Sequence, residues 1–179
     1  METTIEPKDQ IDKWIARLVP GKSFVDIGGV GEKAINERIT FAHLAGARSC
    51  VMADIMPTSH DWWDSFRNKC TSLGLAAFEE LGGVDVRLRD SMKALGKVDV
   101  VHSTGIFYHL SSVPDALWSL RSIVGEHLIT NTITFPERPN GTELSAISGS
   151  SFMRSLRSLW VGSLTHPFQF GVPPARPRG

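Results

Sequence analysis

The chain has 179 residues, 41% hydrophobic and 21% charged, and its 19 basic and 19 acidic side chains cancel. That length suits one ordinary domain with a sizeable core, and the zero balance gives no whole-chain footprint for nucleic acid or an anionic membrane. Cys50 and Cys70, the two cysteines, form neither a disulfide framework nor a metal-ligand spacing; no apolar run approaches membrane-spanning length, and the polar stretch Met1 to Gln10 is no signal peptide, so a cytoplasmic protein is expected.

The first periodic segment runs from about Pro7 to Val19. Ile11, Trp14, Ile15 and Leu18 share one helical face, and Pro20-Gly21 ends it. Ser23 to Ile27 reads as a short buried strand that meets a glycine turn, Gly28-Gly29-Val30-Gly31. From Glu32 onward a helix is expected, with Ile35, Ile39 and Ala42 on one face and Gly46 as its stop. A second strand spans Ser49 to Ala53 and ends at Asp54. Trp62, Phe66, Cys70 and Leu73 then follow a helical stripe, with Trp63 beside it. Leu75 to Leu81 is ambiguous, and Val84 to Leu88 reads as the third strand, ending near Asp90.

Val98 to His102 is the fourth strand, and its nearly continuous apolar character suits a strand covered on both faces. Pro114 sits at the first turn of a helix with Ala116, Leu117, Leu120, Ile123 and Val124 on its apolar face. His127 to Thr134, rich in β-branched residues, is the fifth strand. Beyond Pro136, a helix over 150–161 is expected from Phe152, Leu156, Leu159 and Trp160, and 165–179 reads as a Pro/Arg-rich tail. Strands alternating with helices imply an α/β fold, a mainly parallel sheet with helices on both faces. Right-handed crossovers put the strand C-terminal ends on one rim, where ligands bind.

Two cofactors compete for the glycine turn. Gly29 to Ala34 matches G-x-G-x-x-[GA], with Asp54 at the distance of a ribose-binding acid, which suits a nicotinamide or flavin dinucleotide and, with NAD(P), an oxidoreductase. Glu32, however, would put a carboxylate at the helix start, where a diphosphate needs an open anion site. The second candidate is cationic. Asp26 in an otherwise apolar strand is costly unless something pairs it, and a sulfonium or ammonium ligand is one such partner.

The segment Phe24-Val25-Asp26-Ile27-Gly28-Gly29-Val30-Gly31-Glu32 resembles the first motif of the class I, Rossmann-like methyltransferases that use S-adenosylmethionine (SAM). Val30 and Glu32 stand where that family usually has its second and third glycines. The resemblance extends over about Ser23 to Thr134. It implies a Rossmann-like three-layer sandwich, with the family's strands six and seven missing or divergent after Pro136. It implies that Asp26, Gly28, Gly29 and Gly31 line the cofactor site and that Asp54, followed by Ile55, accepts from the ribose hydroxyls. Asp90 would lie near the adenine, and Ser103, Thr104 and Gly105 would complete the site after the fourth strand. The Tyr108-His109-Leu110 ending resembles the family's active-site segment.

Methyl transfer needs an oriented acceptor and, where the acceptor bears a proton, a base. His109 is the candidate base and Tyr108, the single tyrosine, the candidate pocket residue; packing against the next helix is the alternative role for His109. His102 is expected to be buried in its strand. No Asn/Asp-Pro-Pro-Tyr segment and no cysteine follow the fourth strand, which argues against base-amino methylation of nucleic acids and against covalent cytosine chemistry. The acceptor expected is a small molecule. A catalytically silent or truncated SAM-binding domain is the second possibility and an NAD(P)-dependent oxidoreductase the third. Residues 1–164 form one expected domain: 1–20 carries its leading helix, and 137–164 forms a substrate-side or capping segment. A protein partner or oligomer completing the sheet edge is a further expectation.

Overall fold

The computed structural model describes residues 6–75, 78–133 and 157–163. Helix α1 (Gln10–Leu18) begins where the Asp9 carboxylate accepts from the Asp12 amide at 2.9 Å. Strands β1 (Ser23–Ile27) and β2 (Ser49–Asp54) flank the short helix α2 (Ile39–Leu44) in sequence. Helix α3 (Trp62–Ser72), strand β3 (Glu79–Gly82) and the single turn α4 (Arg89–Met92) follow. Strand β4 (Val98–Thr104), helix α5 (Val113–Ile123), and strands β5 (Val124–Ile133) and β6 (Arg157–Ser163) complete the described chain.

The strand order is β3-β2-β1-β4-β5-β6. The first five strands run parallel, and β6 lies antiparallel to β5 from His127↔Ser163 to Ile133↔Arg157. One core layer packs α1, α2 and α3 against Phe24, Met52, Val100 and Ile129; the other packs α4 and α5 against Val25, Ala53, Val101 and Leu128. The chain steps from β1 outward to β3 and then crosses back to β4 on the other side of β1. The connections leaving β1 and β4 therefore part to opposite faces, the topology that in open α/β sheets leaves a crevice between two such strand ends.

Helix α5 runs into β5 without a connecting loop. Val124 both caps the helix, its amide donating to the Leu120 carbonyl, and opens the strand. Gly125 suits that corner, because a Cβ would stand a tight 3.0 Å from the Val98 carbonyl oxygen.

Several expectations are corrected. The helix expected from Glu32 starts at Ile39. Ala34 holds a left-handed backbone (φ +45), which ends any helical run, and the buried Glu37 carboxylate caps the later start by accepting from the Thr40 amide at 3.0 Å and hydroxyl at 2.6 Å. Ile35 consequently faces solvent. In α3 the buried indole is Trp63, and Trp62 and Leu73 are exposed, so the inward stripe is Trp63, Phe66 and Cys70. The third strand is Glu79–Gly82 in place of Val84 to Leu88. Val84 and Val86 are buried in a loop, so their alternation reports contact with the core and not strand pairing. The helix expected over 150–161 is overturned from Arg157 onward, where the short run Leu159-Trp160-Val161 pairs with β5. An apolar run that short is not resolved into helix or strand by periodicity. Of the segment 137–164 expected to cap the substrate side, the described part is thus a sheet strand, and the tail 165–179 lies outside the described residues.

Candidate functional site

The C-terminal ends of β1 and β2 are level: Ile27 pairs with Ala53, and the Gly28 amide donates to the Ala53 carbonyl at 2.9 Å. Gly28 then turns with φ +81, a conformation that favours glycine. The chain from 28 to 38 folds back over the strand ends and is tied down by two carboxylates. Asp54 accepts from the Val30 amide (3.2 Å) with Oδ2 and from the Met56 amide (3.0 Å) with Oδ1. Asp26 accepts from the Arg38 amide at 2.6 Å with Oδ2. The Arg38 guanidinium reaches Asp9 at 3.0 Å and Asp12 at 3.2 Å, which anchors the same residue to α1.

Asp26 is 1% exposed, and its remaining oxygen meets His102 Nδ1 at 2.6 Å. The cost of this buried acid, expected to fall to a cationic ligand, is thus offset within the chain by an imidazole and a backbone amide. Gly29 packs directly on the carboxylate: a Cβ there would lie 2.6 Å from Asp26 Oδ2 and 3.1 Å from the Glu37 Cα. Gly31 has open space around it.

Asp54 is 5% exposed, and burial pushes its carboxyl above the usual carboxylate range, the amides of Met56 and Val30 opposing that rise. Val30 bonds Oδ2 and Met56 bonds Oδ1, the Ile55 amide adds to them, and a carboxylate's four acceptor sites are not all taken. Ile55 beside it is 55% exposed, an apolar face next to an acceptor. From β4, Ser103 is fully buried and its hydroxyl has no hydrogen-bond partner among the described residues; Thr104 and Gly105 are partly covered at the strand end. Ile106 closes over the glycine turn, its Cδ1 standing 3.1 Å from where a Gly28 Cβ would be. Tyr108 and His109 sit on a 3-10 turn (Phe107–His109), both exposed, with ring centroids 4.3 Å apart, and the Tyr108 hydroxyl lies over Gly105.

The structure thus gathers Asp26, Gly28, Gly29 and Asp54 around one turn, with Ile55 and the 103–109 segment at its border. Asp90 is not among them. It belongs to α4, where its side chain is 87% exposed and paired with Lys93 at 2.6 Å, which holds it below the usual carboxylate range. The acid that follows the true third strand is Asp85, one residue after Val84, whose amide donates to the Asp54 carbonyl at 2.9 Å. Arg87 holds Asp85 below the usual carboxylate range through bonds of 2.6–3.2 Å. Misplacing the strand by five residues hid Asp85; the Gly82-Gly83 turn before it was the available signal. The G-x-G-x-x-A reading loses its physical basis, since no helix opens at Gly29 to Ala34 to receive a diphosphate. Among the described residues no helix is long and apolar enough to cross a membrane.

Solved structures share this architecture. A SAM-dependent methyltransferase from Aquifex aeolicus aligns with a TM-score of 0.51 at 17% identity, over 78% of this chain and 72% of that one. A second SAM-dependent methyltransferase, from Mesorhizobium loti, aligns at 0.50 and 16% identity, over 68% and 51%. The trans-methyltransferase CalH, solved as a complex with SAH, aligns at 0.52 and 20% identity, over 71% and 36%. The chain therefore spans about half the Mesorhizobium protein and about a third of CalH. No protein-family model and no curated protein sequence matches it. At these identities the likeness establishes the fold: this is the Rossmann-like α/β fold of SAM-dependent methyltransferases.

Proposed function

We propose that this chain is a SAM-dependent methyltransferase acting on a small-molecule acceptor in the cytoplasm. The observation that carries the reading is Asp54: a buried carboxylate at the end of β2, with lone pairs to spare, beside an exposed apolar residue and a glycine turn. A ribose presents two hydroxyl donors and an adenine one flat apolar face, and Asp54 with Ile55 matches both. Gly28 supplies the positive-φ turn at the end of β1, with the Ile106 side chain as its neighbour, and β1 and β4 lie side by side at that rim. SAM, when bound, supplies a methyl group on a sulfonium centre ready for in-line displacement.

The chain's own residues then have distinct tasks. Asp54 accepts the ribose hydroxyls, and Ile55 packs on the base. Asp26 works indirectly, holding Arg38 and with it the 28–38 loop. Thr104 and Gly105, partly exposed at the end of β4, border the crevice, with Ser103 buried behind them, and Ile106 stands against Gly28. His109, exposed beside Tyr108, takes a proton from an acidic acceptor, and Tyr108 orients that acceptor. A SAM-binding domain without turnover is the second reading. It is favoured by one feature: the His–carboxylate contacts among the described residues belong to His102 and His127, and none orients the His109 ring.

Calorimetry on the folded chain with SAM and with SAH tests the proposal, followed by methyl transfer to a panel of small-molecule nucleophiles. Binding with transfer supports the enzyme; binding of both ligands without transfer to any acceptor supports the second reading. Folded protein that binds neither ligand overturns both.

A further inference from the structure

The Asp26–His102 pair is the most deeply buried titratable pair in the described molecule, and the tasks assigned above leave His102 unused. Both residues are 1% exposed. They face each other in register on β1 and β4, the two strands that border the crevice. Nδ1 of His102 lies 2.6 Å from Asp26 Oδ1, while Nε2 is buried without a partner among the described residues. The ring also lies parallel to Phe24, two residues before Asp26 on the same face of β1, with centroids 6.3 Å apart and planes at 22°.

We infer that His102 is a positioning residue for the glycine loop, acting through Asp26. A carboxylate offers only acceptors, so the proton in the short contact sits on Nδ1, and that bond fixes the Asp26 rotamer. The fixed rotamer turns Oδ2 toward the loop, where it accepts from the Arg38 amide and lies in the space a Gly29 side chain would fill. Both ends of the 28–38 loop are thereby referred to one carboxylate: Gly29 by close packing, Arg38 by a hydrogen bond. With Oδ2 taken, Asp26 serves the loop, and the shape of the crevice floor depends on an imidazole from β4. The loop is the one that binds SAM in the reading proposed above, so the ligand arm of the test rests on that reading and the backbone arm does not.

The test compares His102→Leu, which removes the donor and keeps apolar bulk, with His102→Asn, which restores an N–H at the position of Nδ1. Amide hydrogen exchange in the free protein is read at Arg38 and, as a control, at Val101 in β4. In His102→Leu, Arg38 exchange is expected to accelerate by roughly tenfold or more with Val101 unchanged, and in His102→Asn to stay within about threefold of the parent, as for the loss and return of one hydrogen bond to a charged acceptor. SAM affinity is expected to follow the same pattern. Unchanged Arg38 exchange in His102→Leu overturns the inference. So does equal acceleration at Arg38 and Val101, which marks a merely structural histidine. If His102→Leu does not fold, nitrogen NMR of the imidazole in the parent protein decides: a proton on Nδ1 is expected, and a bare Nδ1 overturns it. A parent protein that shows the exchange pattern in its variants but binds no SAM removes the proposed function and leaves the loop assignment standing.

Discussion

The two ends of the parallel sheet treat their carboxylates differently. At the N-terminal end, Asp99 accepts from the Ser23 amide and hydroxyl at 2.9 and 2.8 Å and faces Arg48, and Lys22 pairs with Glu126. These groups are partly open to water and matched by cations. At the C-terminal end, Asp26 and Asp54 are nearly sealed from water, and neither has a Lys or Arg side chain as hydrogen-bond partner among the described residues. Backbone amides of one loop, amides just after β2 and one imidazole hold them instead. Solvated, cation-matched charge at one end contributes modestly and could be replaced with little loss. Buried acids held by loop amides tie the loop's conformation to these two carboxylates, and at Asp54 burial also raises the carboxyl, the arrangement expected where a ligand is to be recognised.

The sharpest way to break this contrast is Asp26→Ala. Removing one member of a buried pair leaves His102 and the Arg38 amide unmatched, and a stability loss of about 3–5 kcal/mol is expected in urea unfolding. A loss below about 1 kcal/mol would show that the carboxylate end is no different from the solvated one. Asp54→Ala comes next. It is expected to weaken SAM binding by on the order of 2–4 kcal/mol, read by calorimetry, through loss of two hydrogen bonds to a charged acceptor.

The same site carries a pH signature. Burial raises the Asp54 carboxyl, so its folded value lies above its unfolded one. Its ionised form therefore opposes folding at neutral pH, and that opposition lifts as pH falls through the raised value. SAM affinity is expected to decline over the same descent, at a pH above the usual carboxylate range, and to lose this dependence in Asp54→Ala.

The smallest effect belongs to Asp99→Asn. Bonds from Ser23, joined by attraction to Arg48 and Lys22, hold Asp99 below the usual carboxylate value, so its contribution is present at neutral pH and is lost as pH falls through the lowered value. The variant is expected to lose about 1 kcal/mol at pH 7, discounted for partial exposure, and nothing in strong acid. A cost as large as that of Asp26→Ala would erase the distinction between the two ends.

Strands β1, β2, β4 and β5 were legible because each carries a largely buried apolar or β-branched run: Phe24 to Ile27, Met52 and Ala53, Val100 and Val101, and Leu128 to Thr130. Strand β3 was not, because it is a four-residue edge segment with two glutamates, one of them, Glu80, held by Arg67 at 2.9 Å. The late start of α2 escaped notice because the cue is conformational: Ala34 takes a left-handed backbone that no residue type announces. In the site, the residue types at the ends of β1 and β2 drew attention to Asp26 and Asp54. What satisfies Asp26 was hidden, since its partner is 76 positions away and meets it only through the β1–β4 register. Asp90 was selected by its distance from a strand that lies elsewhere.

The seamless passage from α5 into β5 has a mechanical consequence. With Val124 shared and Gly125 close on the Val98 carbonyl, that corner has no loop residues and little free space for a side chain. On the opposite rim, residues 28–38 are moored by Asp26 and Asp54. At Gly28 the near neighbour is the Ile106 side chain after β4, while Phe107 next to it is buried in the core. A ligand pressed onto the Gly28 backbone would therefore meet one flexible side chain there and not a second stretch of main chain.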